Sequence, residues 1–351
     1  MALKIKDIAK KAGVSITAVS FALNNKEGIS DETRKKILDI VSECGYTPRT
    51  LIKFDEIDQL QQANTSKLIL LLNCPSTPFT KVESGNVSLS FYEIIKEVER
   101  SANQNQYDLV FKSINMDSSF QEEVQKIVTN YHVAGIIVAS TAIPSFYIKQ
   151  VQELGVPVVA IDSYYSDINV DCVVMDNYAG AYAAGKYLIE LGHKKIGYLK
   201  SVARVNNFDE RQKGFEAALN ECGIDLDPAN IYQVGSTIED CESGLSEALA
   251  EKRDLPTALF AESDYLAVGA LKGLQGLGIK VPDDVSVIGF DNIAISELMT
   301  PKLTTVSVPW GDMADMAIET LMRQIRQEGK TNLKTRIGVE LIKRESCRVI
   351  K

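Results

Sequence analysis

The chain has little of what catalytic and metal centres are usually built from. Only two histidines, His132 and His193, occur in 351 residues, and they lie far apart in sequence. A histidine-based catalytic or metal centre is therefore not expected. The six cysteines (Cys44, Cys74, Cys172, Cys222, Cys241 and Cys347) are scattered, with no C-x-x-C pair. That fits reduced thiols in a cytoplasmic protein better than a disulfide framework or a zinc site. There is no apolar run of about 18 residues, so no membrane span is expected. The N-terminal MALKIKDIAKK has alternating charge and no apolar stretch, unlike a secretory signal. No G-x-G-x-x-G follows an apolar run, and no G-x-x-x-x-G-K-[ST] occurs. The cluster GALKGLQGLG at 269–278 lies in a helix-and-turn context and reads as packing and C-capping rather than a phosphate loop. With no nucleophile–base pair, metal cluster or nucleotide loop, the expectation is a protein that is not an enzyme and carries no cofactor.

What is present is an asymmetry of charge. Residues 1–53 hold 10 Lys/Arg and 6 Asp/Glu, a balance of +4; the rest of the chain carries −13 of the total −9. A small basic head on an acidic body points to a polyanion as the partner of the head. The head reads as three short helices. The first runs from about Lys6 to Ala12, with Ile8 and Ala9 inward, and Gly13 breaks it. Ser15 is a good N-cap for a second, from Ser15 to Asn24. Ser30 caps a third, with Asp31 and Glu32 in its first turn where the helix dipole favours carboxylates.

The stretch AGVSITAVSFALNN, residues 12–25, carries no charge. Val19, Ala22 and Leu23 fall on one side of its helix and can pack on the other two. Ile16, Thr17, Ser20, Phe21 and Asn24 fall on the other. A small helical cap buried against the body is one reading. A helix in the major groove is the other, since short polar and methyl-bearing side chains read base edges while cations elsewhere meet phosphates. Lys4, Lys6, Lys26, Arg34 and Lys35 are available for phosphates.

Residues 49–66 read as a linker. Beyond them, apolar runs alternate with segments long enough for helices: KLILLL, DLVFKSI, AGIIVAS, PVVAID, KIGYLKS, ALFAES and VSVIGFD. Such alternation predicts parallel sheets covered by helices on both faces, and the length accommodates two of them.

IKDIAKKAGVSITAVSFALNN…ISDETRKKILDIVSECGYTPR resembles the DNA-binding head of the lactose-repressor (LacI/GalR) family of bacterial transcription regulators. The body carries matching stretches: DNYAGAYAAGKYLIELGHKKIGYL, ERQKGFEAAL, ESDYLAVGALKGLQGLGIKVPDDVSVIGFDN and PKLTTVSVP. The resemblance implies a helix-turn-helix head at 1–48, a hinge at 49–66, and a periplasmic-binding-protein-like body at 67–351. The body would comprise two doubly wound α/β subdomains, one of about 67–174 with 307–337, the other of about 175–306 with 338–351.

The resemblance also implies partners: double-stranded, pseudo-palindromic operator DNA, a second copy of the chain, and a small effector, a sugar or sugar derivative. A homodimer rather than a tetramer is expected, since no heptad leucine run follows VELIKRES. Control by a phosphorylated partner protein, and a solute-binding protein without a regulatory role, are the alternatives.

Carried over position by position, Ile16, Thr17 and Phe21 match base-reading residues, and Ser15, Ser20 and Asn24 match phosphate contacts. Members frequently have arginine where Phe21 stands. Phenylalanine cannot fork onto guanine, though it can press on a thymine methyl. In the hinge, Asp55 holds the position of a leucine that wedges into the minor groove. Either Leu51 or Phe54 serves as the wedge, or the hinge does not kink DNA.

In the body, Arg211 matches an arginine that forks onto sugar hydroxyls or a carboxylate, and Asp291 matches a carboxylate that accepts two hydroxyls. Asp162 closes PVVAID in the same situation on the other sheet, at a strand end where ligands bind in such folds. Ser263, Asp264 and Phe79 complete the implied effector set with Trp310, the only tryptophan, which is either pocket wall or core.

Overall fold

A computed structural model describes residues 5–23, 28–43, 67–75, 89–139, 141–250, 254–328 and 331–350. The chain divides into two compact units, Met1–Thr65 and Ser66–Lys351. Asn24, Leu51, Phe54, Phe79, Lys4 and Lys26 lie outside the described residues, as does the whole hinge. Among the described residues no helix is long and apolar enough to cross a membrane.

The first unit contains helices α1 (Ile5–Ala12), α2 (Ile16–Leu23) and α3 (Asp31–Glu43). Ala9, Ala12, Val19, Ala22 and Ile37 form its small core. Gly13 turns the chain between α1 and α2 at φ +71°, a conformation glycine adopts without a Cβ clash. Ser15 Oγ accepts from the Ala18 N–H at 3.1 Å, and Ser30 Oγ from the Thr33 N–H at 3.2 Å, so both serines cap their helices.

Arg34, one of the cations available for phosphates, also has a place within the head. Its Nη1 donates to the carbonyls of Phe21 at 3.1 Å and Ala22 at 3.5 Å. These are carbonyls of the last turn of α2, which lack partners within the helix. Arg34 thus closes the end of α2 from the side of α3.

The second unit holds two six-stranded sheets. The first has the order β11-β5-β4-β3-β1-β2 and is parallel throughout. Its strands are β1 (Leu68–Asn73), β2 (Asp108–Ser113), β3 (Gly135–Ala139), β4 (Val158–Ile161), β5 (Asp171–Met175) and β11 (Lys334–Ile337). The second has the order β12-β10-β9-β8-β6-β7, with only β12 antiparallel. It comprises β6 (Ile196–Ser201), β7 (Ile231–Val234), β8 (Ala258–Ala261), β9 (Ser286–Asp291), β10 (Thr304–Ser307) and β12 (Glu340–Ile342). All seven apolar runs read as strands form strands. Six of them are buried on both faces, as helices covering both sides of a parallel sheet require, while β2 at the sheet edge is half-buried.

The chain passes between the sheets three times. It leaves β5 for the helix Asn177–Glu190, which packs on the helix Asn206–Glu221 of the second sheet. It leaves β10 for the helix Trp310–Ile325, which packs on Leu89–Gln104 and the first sheet. It leaves β11 for β12. One apolar core runs through these passages, joining Ile69, Leu71 and Val173 of the first sheet to Tyr198, Phe260 and Phe290 of the second through Met175, Val306 and Val308. Gly269 and Gly273 have the expected packing role. A Cβ on Gly269 would meet the Ile238 carbonyl and Cys241 Cβ at 2.7 Å, so its absence lets two helices approach; Gly278 ends the helix at φ +74°.

Candidate functional site

The site starts from two strand ends. Asp162 follows β4 and Asp291 ends β9, and both have positive φ, +65° and +117°. Non-glycine residues rarely adopt such values, and they cluster at functional sites when they occur. Both side chains line one cleft between the subdomains, with about 440 Å³ of empty space that is partly open to solvent. From the first subdomain, Ser90, Thr141, Asp162 and Trp310 line it; from the second, Asn207, Phe208, Arg211, Ser263, Tyr265 and Asp291.

Arg211 is the hub. It is 3% exposed. Its Nη2 pairs with Asp291 Oδ1 at 3.1 Å, its Nε donates to Asn177 Oδ1 at 2.9 Å, and its Nη1 donates to the Glu262 carbonyl at 2.5 Å. The guanidinium stacks on the Phe290 ring at 3.6 Å. Four residues earlier on the same helix face stands Asn207, which a reading of single motif residues passes over. Its Nδ2 donates to Asp162 Oδ1 at 2.7 Å, tying the second subdomain to the first. The signal for it is the i, i+4 spacing from Arg211 in NNFDERQ. A second tie is the Leu89 N–H, which donates to the Tyr265 hydroxyl at 2.6 Å.

Burial pushes Asp162 up to about 7; Arg211 partly offsets this, and the charge of Asp291 adds to it. Burial likewise pushes Asp291 up to about 6 against the opposing pull of Arg211. Asp162 therefore senses the charge of Asp291 across the cleft.

Other expected residues divide. Trp310, partly buried, lines the cleft, and its Nε1 is buried with no hydrogen-bond partner among the described residues; Thr141 Oγ1 is in the same position. Ser263 reaches the cleft while its Oγ accepts from the Leu266 N–H at 3.4 Å, capping the helix Asp264–Gly276. Asp264 does not join the cleft lining. It is fully buried, accepting from Thr305 Oγ1 at 2.5 Å and the Ile293 N–H at 3.0 Å. Its carboxyl ties the backbone just after β9 to Thr305 of β10, and burial raises its pKa well above the usual carboxylate range.

Glu262, which the sequence reading did not single out, is fully buried beneath the cleft. Arg204 Nη1 reaches both of its oxygens, at 2.7 and 2.8 Å, and Tyr198 and the Ser201 N–H donate to it as well. This clamp fixes the loop that delivers Val205 and Phe208 to the cleft. A carboxylate directly after the apolar run ALFA was its only sequence signal.

In the head, Ser15 and Thr17 are exposed, and Phe21 is half-buried. A Cβ on Gly28 would lie 2.9 Å from Phe21 Cε2, so the phenyl ring rests on the glycine that follows α2. Ile16 and Ser20 lie on the backbone of α2.

Residues 4–49 match the family model of bacterial regulatory proteins of the lacI family, and residues 186–347 match that of the periplasmic binding protein-like domain. The chain is 32% identical over 349 residues to the HTH-type transcriptional regulator DegA of Bacillus subtilis (strain 168), covering 99% of this chain and 98% of that protein. It is 29% identical over 322 residues to the ribose operon repressor of Haemophilus influenzae, covering 92% of each. Among solved structures it resembles a LacI family transcriptional regulator from Enterococcus faecium with bound ribose, with TM-score 0.69, 26% identity, and coverage of 81% of this chain and 100% of that one. It shares its fold with the lac repressor dimer bound to operator and the anti-inducer ONPF, with TM-score 0.71, 20% identity, and coverage of 99% and 100%. A helix-turn-helix head, two α/β subdomains around a polar cleft, and this likeness along nearly the whole length lead to one conclusion: the chain belongs to the LacI family and is a DNA-binding transcription regulator, not an enzyme.

Proposed function

We propose that the chain is a repressor that binds a pseudo-palindromic operator as a homodimer, with its operator affinity set by a small polyhydroxylated effector, a sugar or sugar derivative, in the cleft. The observation that carries this reading is the convergence of Asp162, Arg211, Asp291 and Trp310, drawn from both subdomains, on one cleft. Directional acceptors, a forked donor and an aromatic wall are what polyol recognition requires. The ribose operon repressor and the ribose-bound regulator, both similar to this chain, support the sugar class.

In the head, Ile16, Thr17 and Phe21 read bases while Ser15, Ser20 and Asn24 meet phosphates. Phe21, resting on Gly28, offers a ring edge to a thymine methyl rather than a fork to guanine. Leu51 or Phe54 is the hinge wedge, and unchanged operator bending in both alanine variants would remove them from that role. Effector binding shifts one subdomain against the other about the passages near Met175, Ser307 and Gly338, and the spacing of the paired heads follows. By linkage, operator and effector change each other's affinity by the same factor, typically about 1–3 kcal/mol of coupling.

The test is a titration of the full chain with a panel of sugars, followed by Trp310 fluorescence and by operator binding. One compound should give a saturable change and shift operator affinity about 5- to 150-fold. Operator binding indifferent to every compound that the cleft takes up would sink the reading.

A further inference from the structure

We propose that the effector carries a protonated amine, seated against Asp162, so that the cleft selects an aminated sugar or polyol over its neutral parent. This rests on the effector reading above and narrows it. Among the described residues lining the cleft, the charged side chains are Asp162, Asp291 and Arg211. That is two carboxylates to one guanidinium. The guanidinium is already committed, with each of its three nitrogens holding an acceptor: Asn177, the Glu262 carbonyl and Asp291. It holds Asp291 directly and Asp162 only through space.

Asp162 has a neutral partner instead. Asn207 satisfies Oδ1, and Oδ2 has no protein partner among the described residues. A buried carboxylate facing a second carboxylate is costly unless a cation joins it. The positive φ of Asp162 holds the side chain in that position in spite of the backbone cost. An anionic effector, such as a sugar phosphate or a uronate, would add a third negative charge. A metal ion fits poorly: hard divalent cations take six or more oxygens, and the remaining neighbours include an indole N–H, which is a donor only.

An ammonium needs one carboxylate and an open approach, and Asp162 supplies both. The rest of the first-subdomain wall suits hydroxyls. The unpartnered Trp310 Nε1 donates to one, and Thr141 Oγ1 donates to or accepts from another. The amine is therefore one substituent of a hydroxylated ligand rather than a bare alkylamine.

The test is calorimetric titration of the full-length chain with matched pairs: glucosamine against glucose, galactosamine against galactose, mannosamine against mannose. In at least one pair the amine should bind about tenfold tighter than its parent at pH 7, the gain expected of a charged hydrogen bond. Its affinity should be bell-shaped in pH. It falls on the acid side as Asp162, which titrates near 7 in the free protein, takes a proton, and on the alkaline side as the amine loses its own. The charged and titratable groups that share the cleft with Asp162 are Arg211, Asp291, which titrates lower, and Tyr265, whose hydroxyl burial pushes up.

Asp162→Asn keeps the shape and should bring amine and parent within about twofold of each other. The wild-type pH profile needs no variant and stands if Asp162→Asn fails to fold. Parents that bind as tightly as their amines overturn the amine and leave the sugar reading intact. An amine preference that survives Asp162→Asn overturns the assignment to Asp162. Binding by neither class in any pair overturns both readings together.

Discussion

Asp162 and Asp291 occupy matching places in the two subdomains. β4 stands third in the order β11-β5-β4-β3-β1-β2, and β9 third in β12-β10-β9-β8-β6-β7. Each carboxylate comes where the buried strand ends and the backbone turns to positive φ. Their partners differ. Asp291 has the guanidinium of Arg211, and Asp162 has the amide of Asn207. The same placement thus yields one carboxylate held in an ion pair and one held by a neutral hydrogen bond. Burial raises both, and the ion-paired one less, to about 6 against about 7. An equivalent position in a repeated architecture does not by itself make an equivalent group; the neighbour on the next helix decides.

The sharpest way to break this comparison is to remove Arg211. Arg211→Ala leaves Asp291 buried without its cation, and a loss of about 3–5 kcal/mol of stability is expected in urea unfolding at pH 7.5. Effector binding should be lost with it.

Next in size is the contrast between Asp162→Asn and Asp291→Asn. Both acids have folded-state pKa values above the ordinary 3.8, so the folded protein holds more protons than the unfolded chain between about pH 4 and 7. Stability of the ligand-free protein therefore falls as pH rises through that window. Asp162→Asn should flatten the slope and gain on the order of 1–3 kcal/mol at pH 8. Asp291→Asn strands the buried guanidinium and should lose stability at the same pH. Unfolding curves at pH 5 and pH 8 decide it, and identical behaviour of the two variants would end the comparison.

Smaller still is Tyr265→Phe, which removes the bond from the Leu89 N–H across the cleft. About 1 kcal/mol is expected, read as faster hydrogen exchange at the Leu89 amide. The smallest effect is that of Trp310→Phe. It keeps an aromatic wall, removes the donor at Nε1, and should weaken the effector by only a fewfold in calorimetry.

Much of this was legible in the residues. Ser15 and Ser30 read as caps and are caps, because an N-cap needs only its own helix. Six of the seven apolar runs were legible as strands because a strand buried on both faces must be apolar at successive positions; β2, half-buried at the sheet edge, is the exception. The strands passed over show why others escape. β11 (KTRI) alternates exposed and half-buried residues at the edge of its sheet, and β10 (TTVS) is fully buried at its first three positions though two of them are threonines. Arg34 looked like a surface cation and also closes α2; the carbonyls it meets lie 12 and 13 residues away. Asp264 looked like an effector ligand, and its carboxyl accepts from Thr305, 41 residues on, on β10, two strands away from the β8 that precedes it.

By itself, then, the sequence determined the helix-turn-helix head, the alternating α/β body and the family, because periodicity, caps and motif spacing are written in near neighbours. It also marked Asp162, Arg211 and Asp291 as candidates. The tertiary structure alone decided that Arg211 pairs with Asp291 and not with Asp162, that Asn207 joins the cleft, and that Asp264 leaves it. Those choices depend on strand order and on three passages between sheets. Such passages bring together side chains dozens of residues apart, and no local pattern encodes which of them meet.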